Sequence, residues 1–245
     1  MIYYIDRVNG HPAADGLSPE NPRLTYTDLS IAPGDTVLFR RGTFVRETLK
    51  AVGGEPGRPV TYGAWGEGIN PRFSGSVDVS DPADWTEIRP HVWQYVKPLE
   101  TEACNFIFDG DPRYGGERVG ATLRWEISEL CRQGDWHDTA MGCVEQHRPR
   151  PEMRQVLLWS QKNPGEYYSH IECAVYGERM MSACPSHVRY EDLAFENSGV
   201  HGIAGTAVDV EIRRCSFCFI GGCVWNRQLK ILLIQPFFFF KIEYL

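Results

Sequence analysis

The chain has 245 residues, 42% hydrophobic and 12% aromatic, which suits one large folded domain or two small ones and excludes a disordered polymer. Its formal net charge is −7, and its basic residues form pairs such as Arg40–Arg41 and Arg213–Arg214 rather than runs. A general nucleic-acid binder needs a basic footprint, so nucleic acid is excluded as a partner.

Residues 2–5, Ile-Tyr-Tyr-Ile, read as a short apolar strand. Gly10, Pro12, Gly16, Pro19 and Pro22 make the next stretch rich in turns. Residues 25–31 are expected to form a short helix capped by Thr25 or Thr27. Pro33-Gly34-Asp35 turns tightly into a strand at residues 36–40. The segment from Thr36 echoes the one from Val60 at an offset of 23 residues, setting Val37 over Val60 and Phe39 over Tyr62. Leu49 and Phe73 lie 24 apart.

The clearer repeat comes later, in residues 186–222. VRYEDLAFENSG from Val188 and VEIRRCSFCFIGG from Val210 match at an offset of 22: Tyr190 over Ile212, Leu193 over Cys215, Phe195 over Phe217, Gly199 over Gly221. Within each line the apolar residues alternate, as in a strand with one face buried. Parity shifts between Tyr190 and Leu193, and again between Ile212 and Cys215. A corner between two short strands explains this shift. A repeat of about 20–25 residues made of strands and corners predicts a solenoid.

The pattern at residues 4–10, Asp15-Gly16, 33–44 and 57–76, resumed at 188–222, resembles the right-handed parallel β-helix proteins of the pectate-lyase-like superfamily. The resemblance covers roughly half the chain. It implies an all-β solenoid with an N-terminal cap, acting on or binding polysaccharide, extracellular or at the cell surface, with Ca2+ as the cation some relatives use. Family members often carry an acidic residue after the Asn-Gly turn. Here Gly10 is followed by His11 and Pro12, which speaks against a cation site in that loop.

The organisation read on this basis is a cap and first coils at 1–76, an insertion at 77–185, regular coils at 186–228 and an aberrant apolar tail at 229–245. The insertion holds five of the seven tryptophans: Trp85, Trp93, Trp125, Trp136 and Trp159. Leu123, Ile127 and Leu130 fit a short helix. Residues 155–177 read as strand, Pro-Gly turn, strand, and 143–154 as an exposed loop. Trp136, Asp138, Leu157 to Ser160, Asn163-Pro164 and Ile171-Glu172 resemble a pattern found in the family's own insertion. The tail is too short and too interrupted, by Lys230 and Pro236, for a membrane span of about 20 apolar residues. It reads as a foreign end on a shortened solenoid. No signal peptide precedes residue 2, so the chain is either cytosolic or missing its true start. A monomer is expected.

Of eight cysteines, Cys215-Ser-Phe-Cys218 resembles half a zinc site. The repeat sets Cys215 where Leu193 stands, so a core role is the stronger reading, and metal and cofactor sites are expected to be none. Candidate catalytic residues are Asp109 and Asp111, two close carboxylates, and His201 between the repeats, since a histidine titrates near pH 6.5. Each has a plainer reading: turn-capping aspartates and an exposed histidine. Glu191-Asp192 and Asp209/Glu211 are expected on the outer face as solvated charges. There is no Gly-rich phosphate loop, GxSxG or HExxH.

Two hypotheses follow from the resemblance. One is a polysaccharide lyase or glycoside hydrolase, with this stretch alone expected to be inactive because an active site spans several coils. The other is a non-catalytic β-helix, a carbohydrate-binding module, adhesin or tailspike-like protein.

Overall fold

A computed structural model describes residues 1–140, 153–176, 184–203, 207–221 and, for the backbone, 242–243. The chain is all-β. In order its strands are β1 (Ile2–Ile5), β2 (Thr36–Arg40), β3 (Phe44–Val45), β4 (Val60–Trp65), β5 (Arg72–Ser74), β6 (Ser76–Asp78), β7 (Trp85–Arg89), β8 (Val92–Tyr95), β9 (Ala103–Asp109), β10 (Val119–Gly120), β11 (Thr122–Leu123), β12 (Asp135–Asp138) and β13 (Val156–Trp159). A single helical turn, α1 (Pro164–Tyr167), leads into β14 (His170–Val175), β15 (Val188–Glu191), β16 (Ala194–Ser198), β17 (Val210–Arg213), β18 (Ser216–Ile220) and β19 (Ile242–Glu243).

Two of the four sheets are parallel throughout. One runs β1-β2-β4-β15-β17-β19 and the other β18-β16-β5-β3. The chain passes from the first to the second three times, as β2 to β3, β4 to β5 and β15 to β16, and again at β17 to β18. The 22-residue offset is the pairing register: Val188 meets Val210, Tyr190 meets Ile212, and Phe195 meets Phe217. The expected corner is also present. Asp192 and Arg214, 22 residues apart, adopt left-handed backbone at φ 56° and 50° between the strands of each pair. Asp209 repeats the left-handed conformation of His187 in the same way, and Phe219 that of Asn197.

Between the two parallel sheets lies the main core. Tyr62, Val188, Tyr190, Leu193, Phe195, Val210 and Ile212 are buried in it, and Cys215 and Phe217 pack half-buried against it. Aromatic rings stack along the sheet direction: Tyr62 on Tyr190 at 6.0 Å, Phe73 on Phe195 at 5.8 Å, Phe195 on Phe217 at 5.4 Å. Outside, the same register lines up opposite charges. Arg214 Nε donates to Asp192 at 2.8 Å, Arg189 Nε lies 3.1 Å from Glu211, and His187 Nδ1 lies 2.9 Å from Asp209. Glu191, Asp192, Asp209 and Glu211 are thus rungs of a surface charge ladder.

Several expectations need correcting. The described residues form four sheets rather than one regular solenoid. Val37 pairs with Tyr62 and Phe39 with Ala64, so the early echo is displaced by two residues; the side-chain parity survives such a slip. Phe73 pairs with Val45, not with the level of Leu49. Residues 25–31 are turns, because Thr25 bonds locally to Thr27 and Tyr26 is pulled into the core. The helix expected around Ile127 is a 3₁₀ turn at Ile127–Glu129, and Leu123 belongs to a strand. Of the loop at 143–154 only 153 and 154 are described, and the aberrant tail lies outside the described residues apart from the backbone of Ile242 and Glu243, which pairs in parallel with Ile212 and Arg213.

The other two sheets belong to the stretch from β6 to β14. One has the order β10-β9-β14-β6 and is antiparallel; the other is β11-β12-β13-β8-β7. Their shared core holds Trp85, Phe106, Phe108, Trp136, Ile171 and Cys173. Only Gly75 separates β5 from β6, and β14 packs beside β16, so the β14 sheet abuts the second parallel sheet.

Candidate functional site

The outer face of the second parallel sheet and the adjoining face of the β14 sheet carry a dense polar cluster. Strand alternation explains its composition. In the parallel sheet Val45, Phe73, Phe195 and Phe217 form one row facing the core. The neighbouring positions Phe44, Arg72, Ser74 and Glu196 therefore face the other way. In β14, His170 and Glu172 alternate with the buried Ile171 and Cys173. Glu172 pairs across to Asp78 and His170 across to Asp109, which puts all four acid/base side chains on one face.

Arg46 is the centre of one half. Its Nη2 lies 2.5 Å from Glu172 Oε1 and 3.3 Å from Asp78 Oδ2. His170 bridges the same groups, with Nε2 at 2.6 Å from Glu172 Oε1 and Nδ1 at 2.9 Å from Ser80 Oγ. Ser80 Oγ donates to Asp78 Oδ1 at 2.6 Å and accepts from the Ile171 amide at 2.8 Å. Ser76 Oγ donates to Glu172 Oε2 at 2.6 Å. Glu172 is nearly inaccessible at 3% side-chain exposure, whereas Asp78 stands at 45% and His170 at 33%. Burial pushes the Asp78 carboxyl up, but the Ser80 hydroxyl and amide, with His170 and Arg46 beside it, outweigh burial and hold it below the usual carboxylate range.

Arg118 is the centre of the other half. It donates to Glu196 at 3.0 Å and to Asn197 Oδ1 at 2.5 Å, and its Nε lies 3.2 Å from Asp109. Arg72 approaches Glu196 at 3.8 Å. Asn197 Nδ2 reaches back to Ser74 Oγ at 3.0 Å, and Ser74 bonds Ser76, so the two halves form one network. Two half-buried rings lie in this face. Arg46 and Arg72 both sit over Phe44, at 5.0 and 4.7 Å, and Arg118 sits over Phe219 at 4.8 Å.

Of the candidate catalytic residues, Asp109 alone belongs to this cluster, through its ion pair with Arg118 and its strand pairing with His170. Asp111 is buried, caps the turn at Pro112–Tyr114 and is gripped by Arg113 at 2.6 Å, so it is structural. His201 is half-buried; its carbonyl accepts from Ser198, and the structure connects it to neither aspartate. Cys215 packs against the core, where burial pushes its thiol up to about 12, while Cys218 is exposed. Among the described residues no three His, Cys, Asp or Glu side chains are grouped to hold a metal ion. The acidic face does not fit Ca2+ either, because Arg46, Arg72 and Arg118 stand among its carboxylates and repel a cation. No helix among the described residues is long and apolar enough to cross a membrane.

The depressed carboxylates make acid the weak side of this fold. Asp78 is one. Asp6 is another: burial raises it, but Arg40 and the Asn9 and Val8 amides prevail. Asp192 is lowered chiefly by Arg214. A carboxyl with a folded value below its unfolded one stabilises fully above about pH 3.9, and that stabilisation is lost as pH falls through the folded value. The urea midpoint is therefore expected to be lower at pH 3 than at pH 6, and an unchanged midpoint would contradict these assignments.

No protein-family model matches the chain, and neither does the sequence of any curated protein. Among solved structures, XylC in complex with xylose superposes on 89% of this chain and 41% of its own, at 14% identity and a TM-score of 0.58. A glycoside hydrolase matches over 80% of this chain and 50% of its own, at 11% identity and a TM-score of 0.43. The lacto-N-biosidase GH136 from Eubacterium ramulus matches over 89% and 34%, at 14% identity and 0.39. XylC shares the fold; the other two superpose too loosely to carry an argument. The chain spans 41% of the XylC chain.

Proposed function

We propose that this chain belongs to a carbohydrate-active protein built on a right-handed parallel β-helix, which hydrolyses glycosidic bonds of polysaccharide as a single copy in an extracellular or cell-surface setting. The two parallel sheets serve as faces of the helix, with the left-handed residues at 192 and 214 as its corners. Parallel crossovers are right-handed in about 98% of cases, which sets the hand. The likeness to XylC, a protein whose structure holds xylose, supports the scaffold.

The observation that carries the chemistry is Asp78 and His170, both open to solvent, held in one network by Arg46, Glu172 and Ser80. Asp78 stays ionised at neutral pH, as a nucleophile or a stabiliser of positive charge on the sugar must. His170, oriented by the buried Glu172, moves the proton. Asp78→Asn and His170→Gln should each lower turnover of a polysaccharide panel by about 10²-fold or more while melting with the parent chain.

A second reading rests on a specific fact: each carboxylate of this face is already ion-paired, which suits a binding surface. Retention of sugar without turnover favours that reading. A chain that neither retains nor cleaves any glycan would end the carbohydrate reading altogether.

A further inference from the structure

We propose that this face selects neutral glycans and rejects uronic-acid chains. The inference rests on the carbohydrate reading above. It starts from the charge held on the face. Arg46, Arg72 and Arg118 stand against Asp78, Asp109, Glu172 and Glu196, so the carboxylates outnumber the guanidiniums. A uronate needs a positive group free to receive it, best of all a guanidinium that can bind both oxygens. Here each guanidinium already faces a carboxylate. Arg46 holds Glu172, which is 3% exposed; turning Arg46 toward a sugar carboxylate would strand that buried charge. Arg118 is divided among Asp109, Glu196 and Asn197. Arg72 lies 3.8 Å from Glu196 and over Phe44 and, with its Nε unpaired, is the least tightly held of the three. The exposed Asp78 and Asp109, at 45% and 42%, are the charges an incoming chain meets first, and both repel an anion.

What the face does offer suits neutral sugar. Asp78, Asp109 and Glu196 supply oxygens that accept from sugar hydroxyls, and Phe44 and Phe219 supply apolar ring surface for the C–H side of a pyranose. Glu196 is the sharpest point of control, because it is the carboxylate that Arg72 and Arg118 have in common. Replacing it with glutamine keeps the shape and releases positive charge from both.

The experiment is calorimetric titration of the full chain with a panel of neutral pentose and hexose hexasaccharides and with hexagalacturonate, for the parent and for Glu196→Gln. The expected result is binding of a neutral hexasaccharide, hexagalacturonate weaker by about tenfold or more, and a gain of about tenfold for hexagalacturonate in Glu196→Gln. Circular dichroism melting confirms that the variant is folded. Tighter binding of hexagalacturonate than of the neutral sugars by the parent chain overturns the inference and leaves the carbohydrate reading standing. Binding of neither kind overturns the carbohydrate reading, and the inference with it. A folded Glu196→Gln whose uronate affinity does not rise removes the arginine argument.

Discussion

Leu193→Asp is expected to leave little folded protein at 25 °C, while Glu191→Ala, two residues away, melts close to the parent. Leu193 is fully buried between the parallel sheets, beside the stacked Phe73, Phe195 and Phe217 rings. The aspartate loses the leucine's packing, a cost of about 2–5 kcal/mol for large-to-small core changes. It also places an ionised carboxylate among hydrocarbon, where an uncompensated charge costs several kcal/mol more or forces protonation. Together these approach the whole stability of an ordinary domain, about 5–15 kcal/mol. Glu191 is half-exposed, and its nearest arginine contacts are 3.6 and 3.8 Å. Surface pairs of that kind contribute about 0–1 kcal/mol. Thermal melts followed by circular dichroism decide the matter; equal midpoints for the two variants would mean that inside and outside are reversed in β15 and the corner after it.

Arg46→Ala is expected to be the most damaging single change on the polar face, costing about 3 kcal/mol, the lower end of what breaking a buried ion pair costs. The reason lies with Glu172. It keeps Ser76 and His170 as partners but loses the guanidinium that neutralises it. Asp78 loses the same group. Glu172→Gln combined with Arg46→Ala should recover part of the loss, because the stranded charge is then gone. Denaturant unfolding of the single and double variants measures this. A single variant as stable as the parent would show that solvent already screens the pair.

The strands at 188–198 and 210–220 were legible because a buried face forces alternation, and a left-handed corner forces a break in parity that survives in the residue order. Tyr190, Leu193 and Phe195 fell on the right side for that reason. The register of the early strands was harder to read. A two-residue slip keeps every side chain on its own face, so Val37 fits over Val60 or Tyr62 equally well by pattern. The polar face was the least legible part. Arg46, Asp78, Glu172 and Glu196 lie far apart in the chain and meet through sheet pairing that composition does not encode. One signal was available: in residues 170–173 a glutamate takes an alternate place in a strand otherwise made for burial, and a carboxylate in such a place needs a partner. Asp111 matches the plainer of its two sequence readings, since its neighbour Pro112 marks a turn cap.

The pairing of β4 with β15 sets a condition on how the chain folds. Val60 cannot meet Val188 until everything between them has been gathered in. An open chain of that length loses entropy on closure, though only by about 0.6 kcal/mol for each doubling of the loop. Contacts so distant in sequence slow the search for the native state. The intervening strands shorten that search. β7 and β8 are joined by a tight turn and pair with each other, and β14 pairs on one side with β9 and on the other with β6, directly after β5. The β6–β14 pair joins residues far apart in the chain, and once it forms β14 lies beside the second parallel sheet, on the side from which β15 reaches β4. The pairing of β6 with β14 thus ties together the two ends of the stretch between them, next to the place where β4 meets β15.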